Sequence, residues 1–304
     1  MRHILTWLTV ALLACAVASC TGSTDDQKLP AAGPASQTRT QTFSVKGVVS
    51  ELKADGKTAV IRHEEIPNYM PAMTMPLAVK STNELAGVQP GDAVAFRLLV
   101  TDNDSWIDQI TKLGPGNAPE PAQREPFRRV RIVEPLAIGD AMPDYPLTNE
   151  LGQSIHLAQF KGQAVAITFI YTRCPLPNFC PRMSSNFADA GKKLTHMSDA
   201  PTNWHLLSLS FDPEHDTPEV LKNYAKRYEH DASHWDFATG ALIDIDAITE
   251  QFGLMFPRDG AVFNHNLRTV VVDARGRVHQ VFIGNEWTVD ELVAAIVKAA
   301  KAKE

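Results

Sequence analysis

The sequence predicts a multi-domain chain, a small five-stranded OB-like β-barrel followed by an α/β domain. Three observations predict it. The 304 residues exceed the span of one ordinary domain. Between residues 43 and 113 short apolar runs alternate with turn signals, and from about residue 131 the runs become strands separated by helical stretches. An apolar content of 44% with 21% charged residues is that of a folded protein and excludes a disordered or fibrous chain. The net charge of −6, from 29 Lys and Arg against 35 Asp and Glu, withholds the basic surface that phosphate neutralisation needs, so nucleic acid is not an expected partner.

The first element is an address. Residues 1–19 carry Arg2, an uncharged apolar stretch from Ile4 to Val17 and then small residues, the layout of an export signal. The stretch is short for about 30 Å of hydrocarbon. Val17-Ala18-Ser19-Cys20 resembles the lipobox of bacterial lipoproteins. That implies lipidation at Cys20 and a chain anchored to a membrane of the bacterial cell envelope, facing the periplasm or extracytoplasmic space, with Cys15 removed. An unlipidated secretory signal is the alternative. Residues 20–42 are small and polar, a flexible tether.

The runs FSVKGVVSEL, TAVIRHE, MTMPLAV, AVAFRLLV and SWIDQITKL are the five expected strands of residues 43–113, with Asp55-Gly56 as a hairpin turn. Five short strands in so few residues suggest a small closed barrel. Residues 114–130 are a Pro-rich linker. Arg124, Arg128, Arg129 and Arg131 read either as its solvated charge or as a docking patch. In residues 131–304, AVAITFIY and HLLSLSF are strands, helices follow Pro181, open at Asp216-Thr217-Pro218-Glu219 and run near Ile243 to Phe252. RTVVVDA and RVHQVFI are strands joined at Arg275-Gly276, and a last amphipathic helix starts at Thr288. This order predicts a sheet covered by helices on both faces.

Cys174 and Cys180 bracket CPLPNFC where a buried strand ends and a helix begins. A helix start favours thiolate, which is both nucleophile and soft-metal ligand, and two thiolates with one imidazole suit Cu(I). His265, just before a strand, is the candidate nitrogen. A structural disulfide is the alternative, although closing so short a loop removes little chain entropy. DYPLTNELGQSIHLAQFKGQAVAITFIYTRCP, SFDPEHDTPEVLKNYAKRY and NHNLRTVVVDARGRV resemble the SCO/SenC family, thioredoxin-fold proteins that deliver copper to the binuclear copper centre of cytochrome oxidase. The resemblance spans residues 135–300 and implies copper ligands at Cys174, Cys180 and His265, for Cu(I) or Cu(II). The family's motif has three residues between the cysteines; here five intervene. Asp212 and Asp216 match its acidic segment, Asp216 reading as a helix N-cap and Asp212 as a partner of the site.

HEEIPNYMPAMTMP packs three of the eight methionines into six positions. Met73 and Met75 fall on one face of a strand, and thioether sulfur selects Cu(I) without needing to lose a proton. His63 on the preceding strand supplies nitrogen. Flexible core filler is the alternative reading. The stretch also resembles the CusF-type periplasmic copper-binding domain, which implies ligands at His63, Met73 and Met75. Met70 takes the place of that family's tryptophan and is a further thioether candidate, with Trp106 as another possible aromatic lid.

The expected function is an exported copper-binding protein that captures Cu(I) and delivers it for cytochrome c oxidase assembly, its partner being the copper-centre subunit or another copper-accepting protein. A thiol-disulfide oxidoreductase using Cys174 and Cys180 is the alternative, as is copper sequestration. A peroxidase fits worse, because Tyr171 occupies the position of that family's threonine.

Overall fold

Period-two alternation in the first half produces strands that bury one face. The computed structural model describes residues 40–102, 104–116, 133–256 and 262–302. Strands β1 (Gln41–Leu52), β2 (Thr58–His63), β3 (Met73–Ala78), β4 (Asp92–Val100) and β5 (Ser105–Pro115) form an antiparallel sheet in the order β3-β2-β1-β4-β5. The Asp-Gly turn forms as expected. Gly56 takes φ +64, and the Asp55 carboxylate accepts from the Lys57 and Thr58 amides. Gly47 has a different reason to be glycine: a Cβ there would lie 2.6 Å from the Ile61 side chain and 2.7 Å from the Arg62 carbonyl, so β1 and β2 approach as closely as they do only without one.

The closed barrel expected from the strand count is not formed. Among the described residues the edge strands meet at a single parallel bridge, Val79 with Ile107, with Lys80 N–H donating to the Ile107 carbonyl; no ladder joins β3 to β5. Strand spacing alone carries no closure signal, because closure depends on strand tilt and shear. Strand β5 also continues to Pro115, past the expected boundary at residue 113.

In the second half β6 (Pro146–Asn149), β7 (Ser154–His156), β8 (Ala164–Ile170), β9 (Trp204–Ser210), β10 (Trp235–Thr239), β11 (Arg268–Val272) and β12 (Val278–Ile283) form a mixed sheet in the order β12-β11-β8-β9-β10-β6-β7. Every residue of β8, β9 and β10 is buried, so both sheet faces are covered, and these three run parallel. The helices are α1 (Cys180–His196), α2 (Pro218–Ala225), α3 (Leu242–Gln251) and α4 (Val289–Ala300). Helix α4 opens with a capping box between Thr288 and Glu291. Strands β6, β7 and β10 were not expected; each has five residues or fewer, too short for a periodic pattern to stand out.

Helix α2 corrects one expectation. Its N-cap is Thr217, whose Oγ1 accepts from the Val220 amide, while Asp216 is fully buried and serves the strand ends instead. The two sheets belong to one compact unit, Thr38–Glu304. Leu176, from the loop between the cysteines, is 7% exposed and lies in the core of the small sheet, a burial worth about 2 kcal/mol. Residues 1–39, with the export signal and Cys20, lie outside the described residues, as do Arg124, Arg128, Arg129 and Arg131 of the linker.

Candidate metal centres

Strand β8 delivers the chain into a fully buried Tyr171, after which Thr172, Arg173 and Cys174 turn away from the sheet. Asp216 anchors that turn. Its carboxylate accepts from the Thr172 amide at 3.0 Å, from Thr172 Oγ1 at 2.5 Å and from Ser210 Oγ at 2.5 Å. Asp212 accepts from Arg173 Nη2 at 2.7 Å and Nε at 3.2 Å, bracing the residue next to Cys174. Asp212, His215 and Asp216 are themselves close enough to hold a cation, but the two carboxylates are already occupied by these donors.

Cys180 is the first residue of α1 and completely buried; Cys174 is half-buried, and both thiols are free. His265 sits in the loop before β11, 5% exposed, with Nε2 at 3.6 Å from Cys180 Sγ and 3.9 Å from Cys174 Sγ. One ligand atom from each of the three lies within 4.8 Å of the others. Two sequence-distant segments, the cysteine loop and the loop before β11, therefore converge as expected. The His265 Nδ1–H donates to the Asn266 carbonyl at 2.8 Å, which fixes the tautomer and leaves the Nε2 lone pair facing sulfur.

Burial raises the cost of ionising either thiol. At Cys174 hydrogen bonding from Cys180 and His265 outweighs that cost and holds the thiol well below its ordinary value. At Cys180 burial and then the neighbouring Cys174 push the thiol well above it. The expectation of two thiolates in the loop meets an opposing effect, because charges this close repel, and the two thiols are shifted in opposite directions, Cys174 down and Cys180 up.

Residue typing missed the surroundings of the imidazole. Tyr171, Phe179 and Phe211 pack their rings 5.5, 5.3 and 5.1 Å from His265. They pack around the ring and restrict its rotation. The one hint in the chain was Phe179 inside the cysteine motif. Asn285, also unforeseen, donates Nδ2 to the Asn178 carbonyl at 2.6 Å and ties the cysteine loop to the far edge of the sheet.

In the small sheet His63 and Met73 are direct cross-strand partners, with Met75 two residues further on the same face. His63 is 2% exposed; its Nδ1–H donates to the Glu64 carbonyl at 2.6 Å, and its Nε2 is buried with no hydrogen-bond partner. Burial pushes its pKa below the ordinary imidazole value. An orphaned, neutral imidazole nitrogen beside a thioether is a ligand set that fits a soft monovalent ion. His63 and half-buried Met73 line a surface cleft, whereas Met70 and Met75 are packed into the core. Trp106 is half-buried between the inward-facing Ser105 and Ile107 of β5, and its Nε1, like His63 Nε2, is buried with no hydrogen-bond partner.

Comparison with known proteins matches residues 135–301 to the SCO1/SenC family model, and residues 42–112 to the model of the copper binding periplasmic protein CusF. A SCO1 protein homolog of Bacillus subtilis is 28% identical over 169 residues, covering 52% of this chain and 82% of its own length. A SCO2-like protein of Rickettsia felis is 26% identical over 144 residues, 44% of this chain and 65% of its own. Among solved structures, Arabidopsis thaliana ScoI with copper bound aligns at 22% identity and TM-score 0.45, over 54% of this chain and 98% of its own. Bradyrhizobium japonicum ScoI with copper bound aligns at 23% identity and TM-score 0.43, over 54% and 99%.

Proposed function

The chain belongs to the SCO1/SenC family, and from that membership we propose that it binds Cu(I) outside the cytoplasm and delivers it for assembly of the cytochrome c oxidase copper centre. The observation that carries the reading is the convergence of the Cys174 and Cys180 thiols on His265 Nε2. Copper is the cargo. The cysteine–histidine site would supply two sulfurs and one nitrogen, a soft three-donor set suited to Cu(I), with the half-buried Cys174 as its most exposed donor. The second site centres on His63 and Met73, with Met75 on the same strand face, and captures Cu(I) through uncharged donors. The match of residues 42–112 to a periplasmic copper-binding family supports both this role and the extracytoplasmic location, to which the signal in residues 1–19 and lipidation at Cys20 add a membrane anchor. No helix among the described residues is long and apolar enough to cross a membrane.

Titration of the reduced protein with Cu(I) tests this reading. Two copper ions bind per chain; changing Cys174 and Cys180 to Ser removes one, and changing Met73 and Met75 to Ala removes the other. X-ray absorption of each variant reports sulfur and nitrogen ligands at the remaining metal. Full stoichiometry in both variants overturns the proposal.

The unequal thiols favour a second reading, reduction of a partner's disulfide. The Cys174 thiolate attacks one partner sulfur, the other partner sulfur leaves as thiolate, and Cys180 then resolves the mixed disulfide as the pair is oxidised. Copper-independent reduction of an acceptor's disulfide, lost in Cys174→Ser, is its signature.

A further inference from the structure

The loop between the cysteines faces the small sheet, and the two proposed copper sites share one apolar cluster. Leu176 is buried in the same cluster as Met70 and Met75, while Met73, Tyr69, Cys174 and Phe179 pack at its border. Polar contacts fasten the loop on both sides of Leu176. Tyr69 O–H donates to the Pro175 carbonyl at 2.8 Å, and Ser105 Oγ donates to Asn178 Oδ1 at 3.1 Å. Tyr69 is itself held by stacking on Phe43, with ring centroids 4.6 Å apart, and is the immediate chain neighbour of Met70. The thioether-bearing hairpin and the thiol-bearing loop are thus joined through contiguous side chains, with Leu176 two residues from Cys174.

We propose that the inter-cysteine loop is the docking element for the small module, and that copper passes from the His63–Met73 site to the Cys174–Cys180–His265 site within one chain. This rests on the copper-binding reading above. Leu176 is the knob, and Tyr69 and Ser105 are positioning residues that set the hairpin against the loop. The transfer is ligand exchange without change of oxidation state. Bonds from Cu(I) to His63 nitrogen and the thioether sulfurs break as bonds to the two cysteine sulfurs and His265 nitrogen form, and protons displaced from the thiols leave to solvent. A docked donor shortens the search for the acceptor, so the transfer is unimolecular.

Stopped-flow mixing of the reduced full chain with a substoichiometric Cu(I)–acetonitrile complex, read by thiolate-to-copper absorption, tests it. The expected trace has a capture phase whose rate rises with protein concentration and a transfer phase whose rate does not. Leu176→Asp slows the transfer phase about tenfold while still binding two copper ions. The double variant Tyr69→Phe/Ser105→Ala, which removes only the two hydrogen bonds, slows it by a smaller factor. A transfer rate proportional to protein concentration, or one unchanged in both variants, overturns the proposal and leaves the copper reading intact. Failure of the wild-type chain to bind two copper ions instead overturns the copper reading.

Discussion

His63 and His265 are prepared in the same way and set among different sulfurs. Each donates Nδ1–H to the carbonyl of the next residue, at 2.6 and 2.8 Å, and each keeps Nε2 for another partner. For His265 that partner is a pair of thiols; for His63 the protein provides no hydrogen bond at all, only a neighbouring thioether. One site must lose protons to bind a cation, whereas the other is already neutral and deprotonated. On the copper-binding reading proposed above, one chain would hold the same ion at two places with different proton dependence.

The largest expected effect breaks the small site while sparing the large one. In Gly47→Val the new side chain meets the β2 backbone, and the small module loses about 3 kcal/mol or more of stability. Calorimetry should show its transition shifted down, and copper stoichiometry should fall to the cysteine site alone. Asp216→Ala does the converse. It strands the Thr172 amide and the Thr172 and Ser210 hydroxyls, at a cost of about 3 kcal/mol to the large module. Copper affinity at the cysteine site should drop about tenfold in chelator competition, with the methionine site unchanged.

Proton dependence sharpens the contrast. Copper at the cysteine site weakens by about tenfold per pH unit for each proton it must displace, so on acidification Cu(I) leaves the cysteines before it leaves the thioethers. His63 adds a linkage of the same direction in the copper-free protein. Its folded pKa is depressed by burial below the ordinary 6.5, so the unfolded chain binds the proton more readily. The small module's stability is therefore full above the unfolded value and is lost as pH falls through the folded one. Denaturation midpoints at several pH values, with and without copper, measure this, and His63→Gln should flatten the copper-free dependence. The smallest effect belongs to Thr288→Ala, which removes the α4 cap, costs about 1 kcal/mol and leaves copper binding at both sites unaltered.

Strong local patterns made much of the architecture legible. The five strands of the small sheet, the buried β8 and β9 and the α4 cap all follow from periodicity or capping chemistry. The candidate ligands were legible for another reason: thiol, imidazole and thioether are rare enough as soft donors that their clustering in CPLPNFC and MPAMTMP stands out. Short β6, β7 and β10 escaped because a few residues contain too little period to detect.

By itself the sequence determined which donors exist and which elements carry them, because side-chain chemistry and backbone periodicity are local properties. Tertiary structure alone decided that the small sheet stays open, that the two thiols are shifted in opposite directions, Cys174 down and Cys180 up, and that Leu176 docks into the other module's core. Each of these depends on distances between residues far apart in the chain. Electrostatic repulsion, desolvation and apolar packing act through space, and no spacing along a chain encodes them directly.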